Sequence, residues 1–173
     1  MKSTEKTIFV DATYFLGMHD IDGDRRQRSV DFFSANLNRE LYMNLEQVGL
    51  CDHVIWQRNR EEQDAYYPFM DNLHTLANIQ RLGYRREELR CALTLPELTG
   101  LTLQQACTLA QVIIRKGILY THDPGILDHS PVGPWLAGAG SAHSDTPVFP
   151  EFLESLYRSS TQLTLTLEGS CYV

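Results

Sequence analysis

Lysine is nearly absent: it supplies three of the 15 basic residues, and arginine supplies the rest. Set against 22 acidic residues, this leaves a formal charge of −7. Such a balance argues against a broad nucleic-acid-binding face, because counterion release needs clustered Lys and Arg. No apolar run approaches the roughly 20 residues a membrane helix needs. No apolar stretch of signal-peptide length precedes Asp11. There is no CxxC pair. Cys51, Cys91, Cys107 and Cys171 stand far apart, against a zinc ribbon or a disulfide framework. Reduced thiols and a cytoplasmic location are the expectation. GxSxG, HExxH, P-loop and GxGxxG motifs are missing too, which removes the commonest hydrolase, zincin and nucleotide-fold readings.

What is present is an ordinary globular balance, 43% apolar and 21% charged over 173 residues. That length suits one domain, 1–173. Residues 7–10 (Thr-Ile-Phe-Val) read as a buried strand ending at Asp11. Residues 25–33 read as a helix. In residues 36–48, Leu37, Leu41, Leu45 and Val48 recur at helical spacing, and Glu40 sits beside that stripe. Residues 53–56 read as a strand. Residues 61–82 read as a helix broken at Tyr67 by Pro68, and 93–95 as a strand. Residues 102–116 form a strong helix capped by Thr102. Residues 118–121 form a second buried strand running into His122-Asp123. Residues 130–150, rich in Pro and Gly, predict a loop or lid. Residues 151–173 predict a C-terminal helix and a strand. Strands separated by helices imply an α/β fold with a central, mostly parallel sheet.

Two strand ends carry the chemistry. Ile8-Phe9-Val10-Asp11 and Leu119-Tyr120-Thr121-His122-Asp123 both finish an apolar strand with a carboxylate. Ligand sites in open α/β sheets lie beyond the carboxyl ends of the strands. Two carboxylates on that rim repel unless a proton or cation intervenes, and Mg²⁺ or Mn²⁺ is the natural filler. The alternative is that each Asp caps the turn that follows.

These residues resemble the PIN-domain family. The matching pieces are residues 8–12, then 101–106 leading through 117–123, with its Thr-x-Asp strand end. The helix expected around Glu40-Leu41 is similar to the family's second acidic position. The resemblance implies a three-layer fold and a metal-dependent nuclease. Asp11, Glu40 and Asp123 would hold the metal and act as the catalytic carboxylates. A metal in such a site generates hydroxide and neutralises phosphoryl charge. The chain departs from the family at Gln105, where an acidic residue is usual.

Asp71 and His74, three apart on the predicted helix, could supply what Gln105 withholds. An imidazole from His74 or His122 would admit Fe²⁺ or Zn²⁺. Asp20, Asp22 and Asp24 fall short of a calcium loop, because no Glu follows at its twelfth position. Arginine clusters at 25–28, 58–60 and 81–90 lie close to acidic residues and read as solvated faces. Three functions follow. The first is metal-dependent phosphodiester cleavage of RNA or DNA. The second is metalloenzyme chemistry on a small molecule. The third is a non-catalytic, PIN-like binding protein that uses the 130–150 loop or a homodimer face.

Overall fold

The computed structural model describes residues 6–138 and 149–172. Residues 139–148, half of the predicted loop, lie outside that set. The described elements are β1 (Thr7–Val10), α1 (Ala12–Leu16), α2 (Gly23–Ala35), β2 (Leu41–Asn44), α3 (Leu45–Trp56), α4 (Arg60–Leu76) and β3 (Ile79–Leu82). They continue with α5 (Arg86–Thr94), α6 (Leu103–Ile114), β4 (Gly117–Tyr120), α7 (Pro124–Leu127), α8 (Glu151–Ser160), β5 (Leu167–Glu168) and β6 (Cys171–Tyr172).

The strands β1 to β4, four residues each, form one parallel sheet in the order β3-β2-β1-β4. Period-two alternation sends successive side chains to opposite faces. Ile8 and Val10 join a core with Phe15, Phe33, Leu41, Met43 and Phe69. Phe9 and Leu119 join a second core with Leu109, Val112 and Leu98. Two cores on two faces, each covered by helices, make the three-layer α/β fold that the sequence predicts. The chain crosses from β1 to β2 to β3 on one side, and β4 pairs on the other side of β1. The strand order therefore reverses between β1 and β4, and ligand crevices in such sheets open at that point.

Several local expectations are corrected. The predicted helix over 36–48 is instead a turn, then β2, with only residues 45–48 helical as the first turn of α3. Leu41 and Met43 are fully buried because they alternate inward along a strand, whereas Leu45, the next residue of the expected four-residue repeat, is exposed. The predicted strand at 53–56 is the end of α3. That helix buries Gln47, Cys51, Val54 and Ile55, at the steps of four, three and one that make a helical face.

Pro68 does not break α4. The helix runs to Leu76, and the Asn72 side chain donates to the Pro68 carbonyl (2.8 Å). Residues 79–82, assigned to that helix, leave it as β3. Asn78, at φ 46, makes the turn between them, a conformation Asn tolerates better than most residues. Residues 93–95 end α5 rather than form a strand. The strand expected near the C-terminus is split: Leu163 and Leu165 are buried, Leu165 bridges Asp20 in parallel, and Leu167–Glu168 pairs with β6.

Candidate functional site

Asp11 follows the last residue of β1 and caps α1. Its Oδ1 accepts from the Tyr14 N–H (3.0 Å) and from the Thr13 hydroxyl (2.7 Å). Asp123 follows β4 and caps α7. Its Oδ1 accepts from the Gly125 N–H (2.8 Å) and its Oδ2 from Gln105 Nε2 (2.9 Å). Since Val10 pairs with Tyr120, both carboxylates stand on the same rim, across the crevice where the strand order reverses.

Hydroxyls tie the two strand ends together. Thr13 Oγ1 accepts from the His122 N–H (2.8 Å), and Thr121 Oγ1 accepts from the Asp123 N–H (2.9 Å). The two hydroxyl oxygens lie 3.3 Å apart. The motif is reciprocal: Asp-x-Thr after β1 faces Thr-x-Asp after β4.

Amides close the rest of the rim. Gln47 Oε1 accepts from the Ala12 N–H (2.8 Å), and Gln47 Nε2 donates to Thr108 Oγ1 (3.3 Å). Asn44 caps α3 through the Gln47 N–H (2.8 Å) and donates to the same Thr108 hydroxyl (3.2 Å). Gln105 occupies the third position of α6, where its Oε1 accepts from the Thr102 N–H (3.0 Å) in a capping box. Its Nε2 passes within 2.5 Å of where a Cβ on Gly125 would lie. A side chain at 125 would thus displace the amide that holds Asp123.

The space so enclosed amounts to about 10 Å³, room for about one water-sized particle. Asp11 and Asp123 are its only charged lining residues among those described. Both are nearly inaccessible, at 2% and 4% exposure. Burial raises Asp11 to a pKa of about 6, with repulsion from Asp123 adding to it and the hydroxyls of Thr121 and Thr13 opposing it. Burial raises Asp123 as well, and the Gln105 amide opposes that rise. A buried, mutually repelling carboxylate pair is a place for a proton or a cation.

The other predicted site residues lie elsewhere. Glu40 precedes β2, and Leu41 pairs with Ile8, so Glu40 stands at the amino edge of the sheet. That is about four residues, or ~13 Å, below the level of Asp11. It is exposed and accepts from the Tyr42 hydroxyl. The residue that α3 brings to the rim is Gln47.

His74 packs its ring 4.9 Å from that of Phe15, and burial lowers its pKa to about 4, with Arg81 adding to the effect. Asp71 is exposed on α4. His74 Nδ1 has no hydrogen-bond partner among the described residues, so Asp71 does not pair with it there. His122 turns away from Asp123, as alternation along the chain dictates. Its ring stacks on Tyr14 (4.3 Å) and its Nε2 meets Ser29 Oγ (2.8 Å). Asp20 is taken up by Arg25 (2.6 Å), the Tyr172 hydroxyl (2.6 Å) and the Asp22 N–H (2.7 Å). Asp22 caps α2.

Sequence reasoning missed Gln47, Asn44 and Thr108. The spacing Asn44-x-x-Gln47 is that of a helix-capping pair and would have moved the start of α3 to its true place. Among the described residues, no three His, Cys, Asp or Glu side chains gather as a ligand set. No helix among them is long and apolar enough to cross a membrane. No curated protein matches the chain. A family model does, over residues 1–170, and the chain accordingly belongs to DUF6190, a family of unknown function.

Proposed function

We propose that the chain is a PIN-like domain in which Asp11 and Asp123 hold one divalent cation, Mg²⁺ or Mn²⁺, for hydrolysis of a phosphodiester. One observation carries this reading: two buried carboxylates line one space at the point where the strand order reverses, and burial, with a smaller repulsion of Asp11 by Asp123, favours a proton or cation there. Among the described residues the donors around the space are all oxygen or amide groups, without His or Cys. That set suits hard Mg²⁺ or Mn²⁺ and disfavours Zn²⁺ and Fe²⁺. Two carboxylates and a space of one-water size fit a single ion, not a pair. When bound, the cation would polarise a phosphoryl oxygen and acidify a water. Gln105 and Gln47 would keep the carboxylates in place, and Thr13 and Thr121 would hold their orientation.

A second reading, the same centre acting on a small molecule, rests on charge. Among the described residues no Lys or Arg lines this space or the larger cavity beside it, although a nucleic-acid backbone calls for such residues.

The test is hydrolysis of RNA, single-stranded DNA and bis(p-nitrophenyl) phosphate with added Mn²⁺. Cleavage that Asp11→Asn and Asp123→Asn abolish and Glu40→Gln retains supports the cation centre. Salt-sensitive RNA affinity favours the nuclease. Cleavage of the small ester alone, with no RNA affinity at low salt, favours the second reading. No Mn²⁺-dependent hydrolysis and no thermal shift with Mn²⁺ would sink both and leave a non-catalytic binding protein.

A further inference from the structure

Beside the carboxylate pair lies a second, larger cavity of about 290 Å³. It is bounded by α1, α3 and the C-terminal hairpin. Thr13, Leu50 and Ser170 line both spaces, so the larger cavity opens next to the carboxylates. We propose that it is a subsite for a flat, uncharged heteroaromatic group of one or two rings, held beside the cation centre. Its catalytic relevance rests on the reading given above, but its occupancy by a ring does not.

Size, charge and chemistry each narrow the ligand. An engineered apolar cavity of about 150 Å³ holds benzene. About 290 Å³ therefore accommodates a bicyclic ring, but not a folded peptide segment. Among the described residues no Asp, Glu, Lys or Arg lines the cavity, so a charged group entering it would lose its hydration without a counter-charge from them. The deep surface is apolar: Leu16 is 1% exposed and Val54 7%. Tyr172 forms part of the wall, fixed through its hydroxyl to the Asp20 carboxylate, and an aromatic wall favours ring contacts.

The exposed edge is polar. Gln57 Nε2 and His53 Nε2 lie 2.8 Å apart. A side-chain amide offers both a donor and an acceptor, which is what the edge of a nitrogen heterocycle pairs with. A purely aliphatic ligand would leave that edge unused.

The test uses purine, adenosine and indole as probes, with the full chain and no added metal. Saturation-transfer NMR and thermal shift report binding. The probe should also slow alkylation of Cys171, the exposed cysteine at the cavity wall, by iodoacetamide. Val54→Phe fills the cavity and should weaken binding by about tenfold or more. Gln57→Ala, at the exposed edge, leaves the core intact and should weaken it about two- to tenfold. Preference for purine and adenosine identifies a nucleobase, and preference for indole a ring of another source. Binding of none of the three probes overturns the proposal, as does binding that neither variant changes and that leaves Cys171 unprotected.

Asp11→Asn separates this proposal from the cation reading, because it should abolish the Mn²⁺ response and spare ring binding. Ring binding without any Mn²⁺ response keeps the subsite and removes the cation. A Mn²⁺ response without ring binding does the reverse.

Discussion

Replacing Asp11 by Asn should stabilise the metal-free protein at neutral pH, although it removes a residue at the heart of the candidate site. Asp11 titrates at about 6 in the folded chain, against 3.8 for an ordinary Asp. The folded state thus binds this proton more tightly than the unfolded state. Stability from Asp11 is complete below about pH 4 and falls as pH rises through 6. A rise of about two units at about 1.4 kcal/mol each makes the ionised group cost about 3 kcal/mol at pH 8. Asn carries no charge to desolvate and no repulsion toward Asp123. Its Oδ1 can still accept from the Tyr14 N–H and the Thr13 hydroxyl, and Asn caps helices as well as Asp does.

The assay is thermal melting of wild type and Asp11→Asn in EDTA from pH 4 to pH 8. At about 2–4 °C per kcal/mol for a chain of this size, the variant should melt up to about 6–12 °C higher at pH 8. The gap should close toward pH 4, where wild-type Asp11 is protonated. A variant less stable than wild type at pH 8, or a gap that does not change with pH, would refute the burial argument.

Gln105→Glu replaces the amide that donates to Asp123 Oδ2 (2.9 Å) by a third carboxylate. Without metal at pH 8 it should cost about 1–3 kcal/mol in urea unfolding. Mn²⁺ should restore that loss and bind more tightly than in wild type, since added ligand charge raises affinity. Far from the rim, Glu88 is fully buried and accepts from Arg115 Nε (2.7 Å), Gln111 Nε2 (3.2 Å) and the Arg85 N–H (2.8 Å). Glu88→Ala leaves Arg115 without its partner and should cost about 3 kcal/mol in the same measurement, with Mn²⁺ affinity unchanged.

The two strands that build the rim were legible because each is a short apolar run with a carboxylate at its end. Burial on both faces of a parallel sheet imposes that pattern on β1 and β4. The middle of the chain was not legible, for reasons particular to its residues. Leu41 and Leu45 satisfy a helical repeat, yet they fall on opposite sides of the β2–α3 junction. The four-residue strands β2 and β3 are too short to show a period of their own. The helix expected around Glu40 therefore does not form, and Glu40 stands at the edge of the sheet opposite Asp11. Gln47, an uncharged amide, carries no mark of a site in the sequence until the fold brings it to the Ala12 N–H. Pro68 misled in the opposite sense, since packing of Tyr66, Phe69, Met70 and Leu73 on one face holds α4 together across it.

The central claim, one cation held by Asp11 and Asp123, is tested most directly by titrating the full chain with Mn²⁺ and counting bound ions by electron paramagnetic resonance. The account predicts one site per chain, lost in Asp11→Asn and in Asp123→Asn and intact in Glu40→Gln and His74→Ala. Absence of bound Mn²⁺, a stoichiometry of two, or a site that survives both Asp substitutions would contradict it.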